Sequence, residues 1–140
     1  MVQRVSRAAV RVGDRTIGSV ERGLVVLLGV MDTDGEDDAR QLASKVAKLR
    51  IFPSQRRPID SSVLDVSGGA LVISQFTLCA DTSKGNRPSF IAAAEPETAR
   101  RLYESFCATL RGLGVPVETG EFGAKMDVEL VNEGPVTIVL

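Results

Sequence analysis

The sequence predicts a strand-rich α+β fold, a single domain over residues 1–140 whose curled, partly barrel-like sheet is accompanied by two main helices. Three observations point there. Short apolar or alternating runs punctuated by glycine recur along the chain, and one of them, Leu24-Val25-Val26-Leu27-Leu28-Gly29-Val30, is apolar on both faces. Only two segments repeat apolar residues at three-and-four spacing. With 140 residues, 44% of them hydrophobic, the chain has room for one core and none for a second domain.

Val2, Ala8, Val10 and Val12 interleave with Arg7, Ala9 and Arg11, approximating a half-buried strand that turns at Gly13-Asp14. Residues 16–20 make a second short strand, and residues 24–30 suit a strand covered on both sides at the sheet's centre. The acidic segment 34–38 puts carboxylates at the positive end of a helix whose buried stripe is Ala39, Leu42, Ala43, Val46 and Leu49. Arg50-Ile51-Phe52 resumes a strand that Pro53 stops, and the polar segment 54–62 is a loop. Residues 63–66 and 70–76 read as strands about a tight turn at Gly68-Gly69, and 81–88 as a second loop carrying Lys84 and Arg87. Pro96 opens a second helix, Ala99, Leu102, Phe106, Leu110 and Leu113 form its stripe, and Gly112 or Gly114 closes it. Strands at 127–131 and 136–140 flank a turn at Asn132-Glu133-Gly134-Pro135.

Composition removes several function classes. A net charge of −1 argues against a protein that grips long DNA or RNA by phosphate neutralisation, so an RNA partner has to be held locally. Cys79 and Cys107 form no close ligand pair and the chain has no histidine, so neither a zinc site nor another metal or cofactor is expected. No run is long enough to cross a bilayer and no leader pattern opens the chain, which predicts a cytoplasmic protein. Hydrolytic chemistry without histidine, the commonest proton shuttle, must rely on backbone groups, hydroxyls and the substrate itself.

Two strings could supply those groups. Ser74-Gln75-Phe76-Thr77 follows a buried strand, where N–H groups leave the ladder and can hold a developing oxyanion; these are equally the residues of an ordinary strand end satisfying its own backbone. Gly134-Pro135 is on base rates a plain turn. In the cis form, which X-Pro bonds adopt at modest cost, two successive carbonyls could be presented to a ligand ammonium group, with no glycine side chain in the way. Arg4, Arg7 and Arg11 are too regularly spaced among apolar residues to be a disordered arm, and one of them is expected to point inward.

These strings, with Val2-Gln3-Arg4-Val5-Ser6-Arg7-Ala8, Leu49-Arg50-Ile51-Phe52, Arg87-Pro88-Ser89-Phe90, Gly114-Val115-Pro116-Val117-Glu118-Thr119-Gly120 and Phe122-Gly123-Ala124, resemble the bacterial D-aminoacyl-tRNA deacylases in the same order over essentially the whole chain. The resemblance implies a homodimer with active sites at the subunit interface, where a cis Gly134-Pro135 reaches the partner's pocket, reads the substrate's α-amino group and excludes an L side chain. It also implies a tRNA substrate carrying a D-amino acid, or glycine mischarged on alanine tRNA. Carried over residue by residue, Arg4 braces the Gly134-Pro135 turn and the Phe76 N–H is the oxyanion donor. Gln75 and Thr77 shape the pocket beside the terminal adenosine, with Ser74 adding a hydroxyl, and Phe122, Met126 and Asn132 line or support it. The chain departs from the family where the usual Lys-Met-Asn-x-Ser-Leu stretch is replaced by Arg57-Pro58-Ile59-Asp60-Ser61-Ser62-Val63.

The function expected is hydrolysis of the D-aminoacyl-tRNA ester, a chiral proofreading step aided by the terminal ribose hydroxyl. One alternative is a non-catalytic module that binds the tRNA acceptor end or an amino acid. Another is a hydrolase using Ser74, Thr77 or Cys79 as nucleophile, with a lysine or carboxylate as base.

Overall fold

A computed structural model describes residues 1–140, all of the chain. Strands β1 (Val2–Val12), β2 (Arg15–Val20) and β3 (Gly23–Leu28) precede helix α1 (Glu36–Lys48). Strand β4 (Gly69–Ser74), a 3-10 turn at Phe76–Cys79, helix α2 (Pro96–Gly112) and strands β5 (Val117–Thr119) and β6 (Asp127–Ile138) complete it. The α+β class, the two helices and the curled sheet are as the sequence predicts.

The sheet runs β2-β1-β3-β4-β5, and β6 pairs with the other edge of β1. Only β3-β4 and β4-β5 are parallel. The sheet curls until β2 touches β4 and β5, nearly closing a barrel. Gly18 permits that approach, since a Cβ there would lie 2.8 Å from the Thr119 carbonyl oxygen.

Two buried layers result. On β3, Leu24, Val26 and Leu28 pack toward the helices and Val25 and Leu27 toward the inside of the curl; on β4, Ala70 and Val72 take the helix side and Leu71 and Ile73 the inside. A central strand apolar on both faces is therefore what the geometry demands. The helices contribute Ala43, Val46 and Ala47 from α1 and Tyr103, Phe106, Cys107 and Leu110 from α2. Burying Phe106, which has no exposed surface, contributes about 1.5–3 kcal/mol. Glu36, Asp37 and Asp38 sit in the first turn of α1, and Lys45 and Lys48 in its last, complementing the helix dipole.

Three local expectations are corrected, and one strand is unforeseen. Arg50-Ile51-Phe52 is not a strand: Phe52 makes one isolated bridge with Ser61, and its carbonyl is taken by the Asp60 and Ser61 N–H groups. Residues 63–66 are turn rather than strand, because Ser62 and Asp65 cap each other, the Ser62 N–H and hydroxyl donating to Asp65 Oδ2 at 2.8 and 2.7 Å. Gly68-Gly69 therefore joins no hairpin. Val117–Thr119 is a strand too short to carry a sequence pattern. Finally, residues 127–131 and 136–138 are one strand, β6, with Asn132-Glu133-Gly134-Pro135 inside it as a bulge.

The bulge has a packing cause. Opposite Gln3–Val5 of β1, β6 advances from Thr137 to Asn132, so three extra residues are looped out. At the same place β6 changes layers, and β1 does so at the next register shift, between Val5 and Ala8. Val2, Val136 and Ile138 pack on the helix side, while Val5, Ala8, Val128 and Leu130 pack inside the curl.

Burial also raises the Cys107 thiol from 9.0 to about 11 and pushes the Tyr103 phenol up. Unfolded chains release these protons first, so the stability from Cys107 is complete below pH 9 and drains away as pH rises toward 11, and that from Tyr103 begins to drain only above pH 10. Urea midpoints at pH 8 and pH 11 should differ less for Cys107→Val than for the parent protein; equal differences would rule out the Cys107 contribution.

Candidate functional site

β4 runs out where its neighbour does. The Gln75 N–H donates to the Leu28 carbonyl at 2.8 Å, and the backbone then tightens into the 3-10 turn. As the first residues of that turn, Phe76 and Thr77 have N–H groups without an intrahelical acceptor, and no other turn or loop bond takes them up. A cavity of about 520 Å³ opens beside them. Its walls are Ile73, Ser74, Gln75 and Phe76 on one side, Ala93, Ala94, Pro96 and Ala99 at the start of α2, and Phe122, Gly123, Ala124 and Met126 before β6. Five of the residues singled out from sequence, Ser74, Gln75, Phe76, Phe122 and Met126, thus meet in one place. Thr77 lies just outside, exposed, its hydroxyl accepting from the Gln75 amide.

Aromatic contacts fix the walls. The Phe76 ring meets Phe90 edge-on, centroids 5.0 Å apart at 64°, which ties the turn to the end of the 81–89 loop. Phe122 lies 6.1 Å from Tyr103 and under the Arg100 guanidinium at 4.9 Å. Tyr103 is itself locked by its hydroxyl donating to the Val72 carbonyl at 2.8 Å. Phe90, Arg100 and Tyr103 support the cavity although the sequence assigned them no role there. Only the helical spacing of Tyr103 signalled burial, and nothing local signalled the other two contacts.

No titratable side chain lines the cavity. Its polar equipment is a hydroxyl, an amide and backbone groups. Cys79 is no ready nucleophile: burial and the nearby Asp34 carboxylate raise its thiol above the ordinary value, and Sγ rests 3.5 Å from the Val30 carbonyl. No group of three or more metal-binding side chains converges anywhere in the chain. A second cleft, of about 380 Å³ between α1 and α2 and flanked by Asp34 and Asp38, holds none of the expected residues.

The other signature string lies elsewhere. Gly134 and Pro135 are exposed in the β6 bulge, their peptide bond is cis, and neither lines the cavity. Arg4 holds the bulge from beneath and is the inward-pointing arginine, 8% exposed. Its Nε donates to the Glu133 carbonyl at 3.0 Å and lies 3.6 Å from that residue's carboxylate, while Nη1 donates to the Ile51 carbonyl at 2.7 Å and more weakly to that of Pro58 at 3.4 Å. Asn132 also belongs here and not to the cavity. Its Oδ1 accepts the Val136 N–H at 2.9 Å and its amide donates to the Thr137 hydroxyl at 3.0 Å, closing the bulge. Within the chain the two strings therefore lie in two separate places, both accessible.

Comparison with known proteins places this geometry. The family described as D-Tyr-tRNA(Tyr) deacylase matches residues 1–140. A D-aminoacyl-tRNA deacylase of Deinococcus radiodurans is 56% identical over 140 residues, covering 100% of this chain and 97% of that protein. One of Koribacter versatilis is also 56% identical, covering 100% and 94%. Among solved structures, a c-Myc DNA unwinding element binding protein superposes with a TM-score of 0.92 at 40% identity, over 98% of this chain and 93% of that one. A probable eukaryotic D-amino acid tRNA deacylase shares the fold at a TM-score of 0.79 and 19% identity, over 96% and 93%.

Replacing Arg4 with methionine keeps the side chain's bulk and removes its donors, leaving the Ile51 and Glu133 carbonyls unpaired. The expected loss of stability is about 1–3 kcal/mol, measured as a shift in the urea midpoint. A midpoint unchanged from the parent would mean that Arg4 is not what holds the bulge.

Proposed function

The chain belongs to the D-Tyr-tRNA(Tyr) deacylase family, and from that premise we infer that it is an enzyme hydrolysing the ester that joins a D-amino acid to tRNA. Family membership over the full length supports the reaction. The observation that carries the mechanism is a cavity with free backbone donors at Phe76 and no titratable side chain. Water attacks the ester carbonyl, and the Phe76 N–H stabilises the oxyanion of the tetrahedral intermediate. The C–O bond to the terminal ribose then breaks, the ribose oxygen leaving with one of the water's protons, and the amino acid departs as its carboxylate with the other proton released to solvent. An aminoacyl ester is already activated, and orienting it against a water and the neighbouring ribose hydroxyl supplies several kcal/mol. No histidine is required.

Chirality is read by the other half-site. In the proposed homodimer, Gly134-Pro135 of one protomer enters the cavity of its partner and presents carbonyls to the α-amino group, leaving room for hydrogen or a D side chain only. Two accessible half-sites that do not meet within one protomer support this arrangement, since two-fold pairing would complete both at once. Glycine passes such a filter, so glycine mischarged on alanine tRNA is a second substrate. The substrate places the protein in the cytoplasm, and no helix of the chain is long and apolar enough to cross a membrane.

Deacylation of D- and L-tyrosyl-tRNA measured in parallel tests the reading; turnover of the D ester alone is expected, and binding without turnover would favour the non-catalytic alternative. Ser74→Ala and Thr77→Ala should both retain measurable turnover, because the oxyanion donor is a backbone group. Complete loss in each, in a folded protein, would assign a side-chain nucleophile.

Gly134 adopts φ +128°, and a Cβ there would come within 2.9 Å of Arg4 Nη2 and 3.0 Å of Val136 Cγ2. Gly134→Ala must therefore displace the bulge. A fall in kcat/KM of about a hundredfold for D-tyrosyl-tRNA is expected, the scale of a 1 Å misplacement. Full activity in this variant would remove the bulge from the site.

A further inference from the structure

The polar segment between Phe52 and Ser61 is built as a presenting loop. Its base is closed by Phe52, whose N–H donates to the Ser61 carbonyl at 2.8 Å, and by Arg50, which pairs with the Asp60 carboxylate and backbone. Inside, the Ser54 N–H donates to the Arg57 carbonyl at 2.8 Å, while Ser54 Oγ accepts the N–H groups of Arg56 and Arg57 at 3.0 and 3.2 Å. The loop is thus held at base and tip. Arg56 and Arg57 are exposed there and take part in none of the chain's five ion pairs. The carboxylates bound into this region, Asp60 and Glu133, are engaged by Arg50 and Arg4, which leaves the two guanidinium groups uncompensated.

The loop is also tied to the chirality half-site. Arg4 reaches the Pro58 carbonyl, one residue from Arg57, and the Glu133 carbonyl, one residue from Gly134. A single buried guanidinium therefore sets the distance between the arginine tip and the Gly134-Pro135 bulge.

We propose that the loop at residues 53–60 is an RNA-contacting arm whose Arg56 and Arg57 hold backbone phosphates of the aminoacylated strand. Arg4 keeps that contact in register with the bulge. The proposal rests on the deacylase reading and adds how a chain of net charge −1 holds tRNA: two adjacent guanidinium groups, each able to grip a phosphate through two N–H bonds, placed beside the site.

The test compares D-tyrosyl-tRNA with D-tyrosyl adenosine, an ester that has the same reacting bond and no phosphate. The full-length proteins are the parent, the double variant Arg56→Ala/Arg57→Ala, and Arg15→Ala, an exposed arginine on β2, as control. The double variant should raise KM for the tRNA roughly tenfold and flatten the dependence of log kcat/KM on log salt by about 1.4–1.8. Hydrolysis of the adenosine ester should stay at the parent level, and the control should behave as the parent on both substrates. An unchanged KM and salt slope would overturn the proposal, as would an equal fall on the adenosine ester, which would make the loop a support for the bulge, or an equal effect of Arg15→Ala, which would make the effect one of general surface charge. If the parent hydrolyses neither ester, the deacylase reading itself falls, and this proposal with it.

Discussion

A guanidinium withdrawn from water must be surrounded by acceptors, and that requirement at Arg4 organises one side of the molecule. The cost of burying an unpaired charge is several kcal/mol, so the chain around Arg4 has to deliver carbonyls. Ile51 delivers one directly, Pro58 a longer one, and Glu133 a third from the bulge of β6. Two segments distant in sequence, the stretch at residues 51–58 and the bulge of β6, are fixed to one side chain. The irregular backbone between α1 and β4, which forms no ladder of its own, has its conformation set partly by this cation.

The bulge exists because the layers cross there. β6 passes from the inner cluster to the helix-side cluster between Leu130 and Val136, and β1 changes faces between Val5 and Ala8, where the register shifts again; a pleated strand can change faces only by gaining or losing residues against its partner. The extra residues leave the ladder and become available to something outside it. Gly134 then satisfies two conditions at once: a backbone conformation with φ +128° and a close approach by Arg4. The string expected to read the substrate lies where the packing of the sheet already forces irregularity.

The cavity follows a different logic. Its walls are three backbone segments clamped by aromatic contacts, Phe76 on Phe90 and Phe122 between Tyr103 and Arg100, and its donors are N–H groups left over when β4 becomes a 3-10 turn. Such donors do not titrate or reorient. They are suited to stabilising charge that develops during a reaction on an ester already activated, which is consistent with the family's reaction proceeding on a chain that contains no histidine.

By itself the sequence determined what depends on period and on local chemistry. The doubly apolar central strand, the amphipathic helices opened by acidic residues and by Pro96, the α+β class and the family strings are all written in consecutive residues, because burial on one face or two imposes its own spacing. The strand expected at residues 63–66 failed because Ser62 and Asp65 offered the backbone nearer partners than a sheet. The turn expected at Asn132-Pro135 became a bulge because its pairing partner, β1, lies more than a hundred residues away in the chain. The tertiary structure alone decided that Phe122 and Met126 join Ser74, Gln75 and Phe76 in one cavity while Asn132 joins Arg4 under the bulge. Contacts of that kind are set by which surfaces meet when the sheet curls, and no local window of sequence contains both partners.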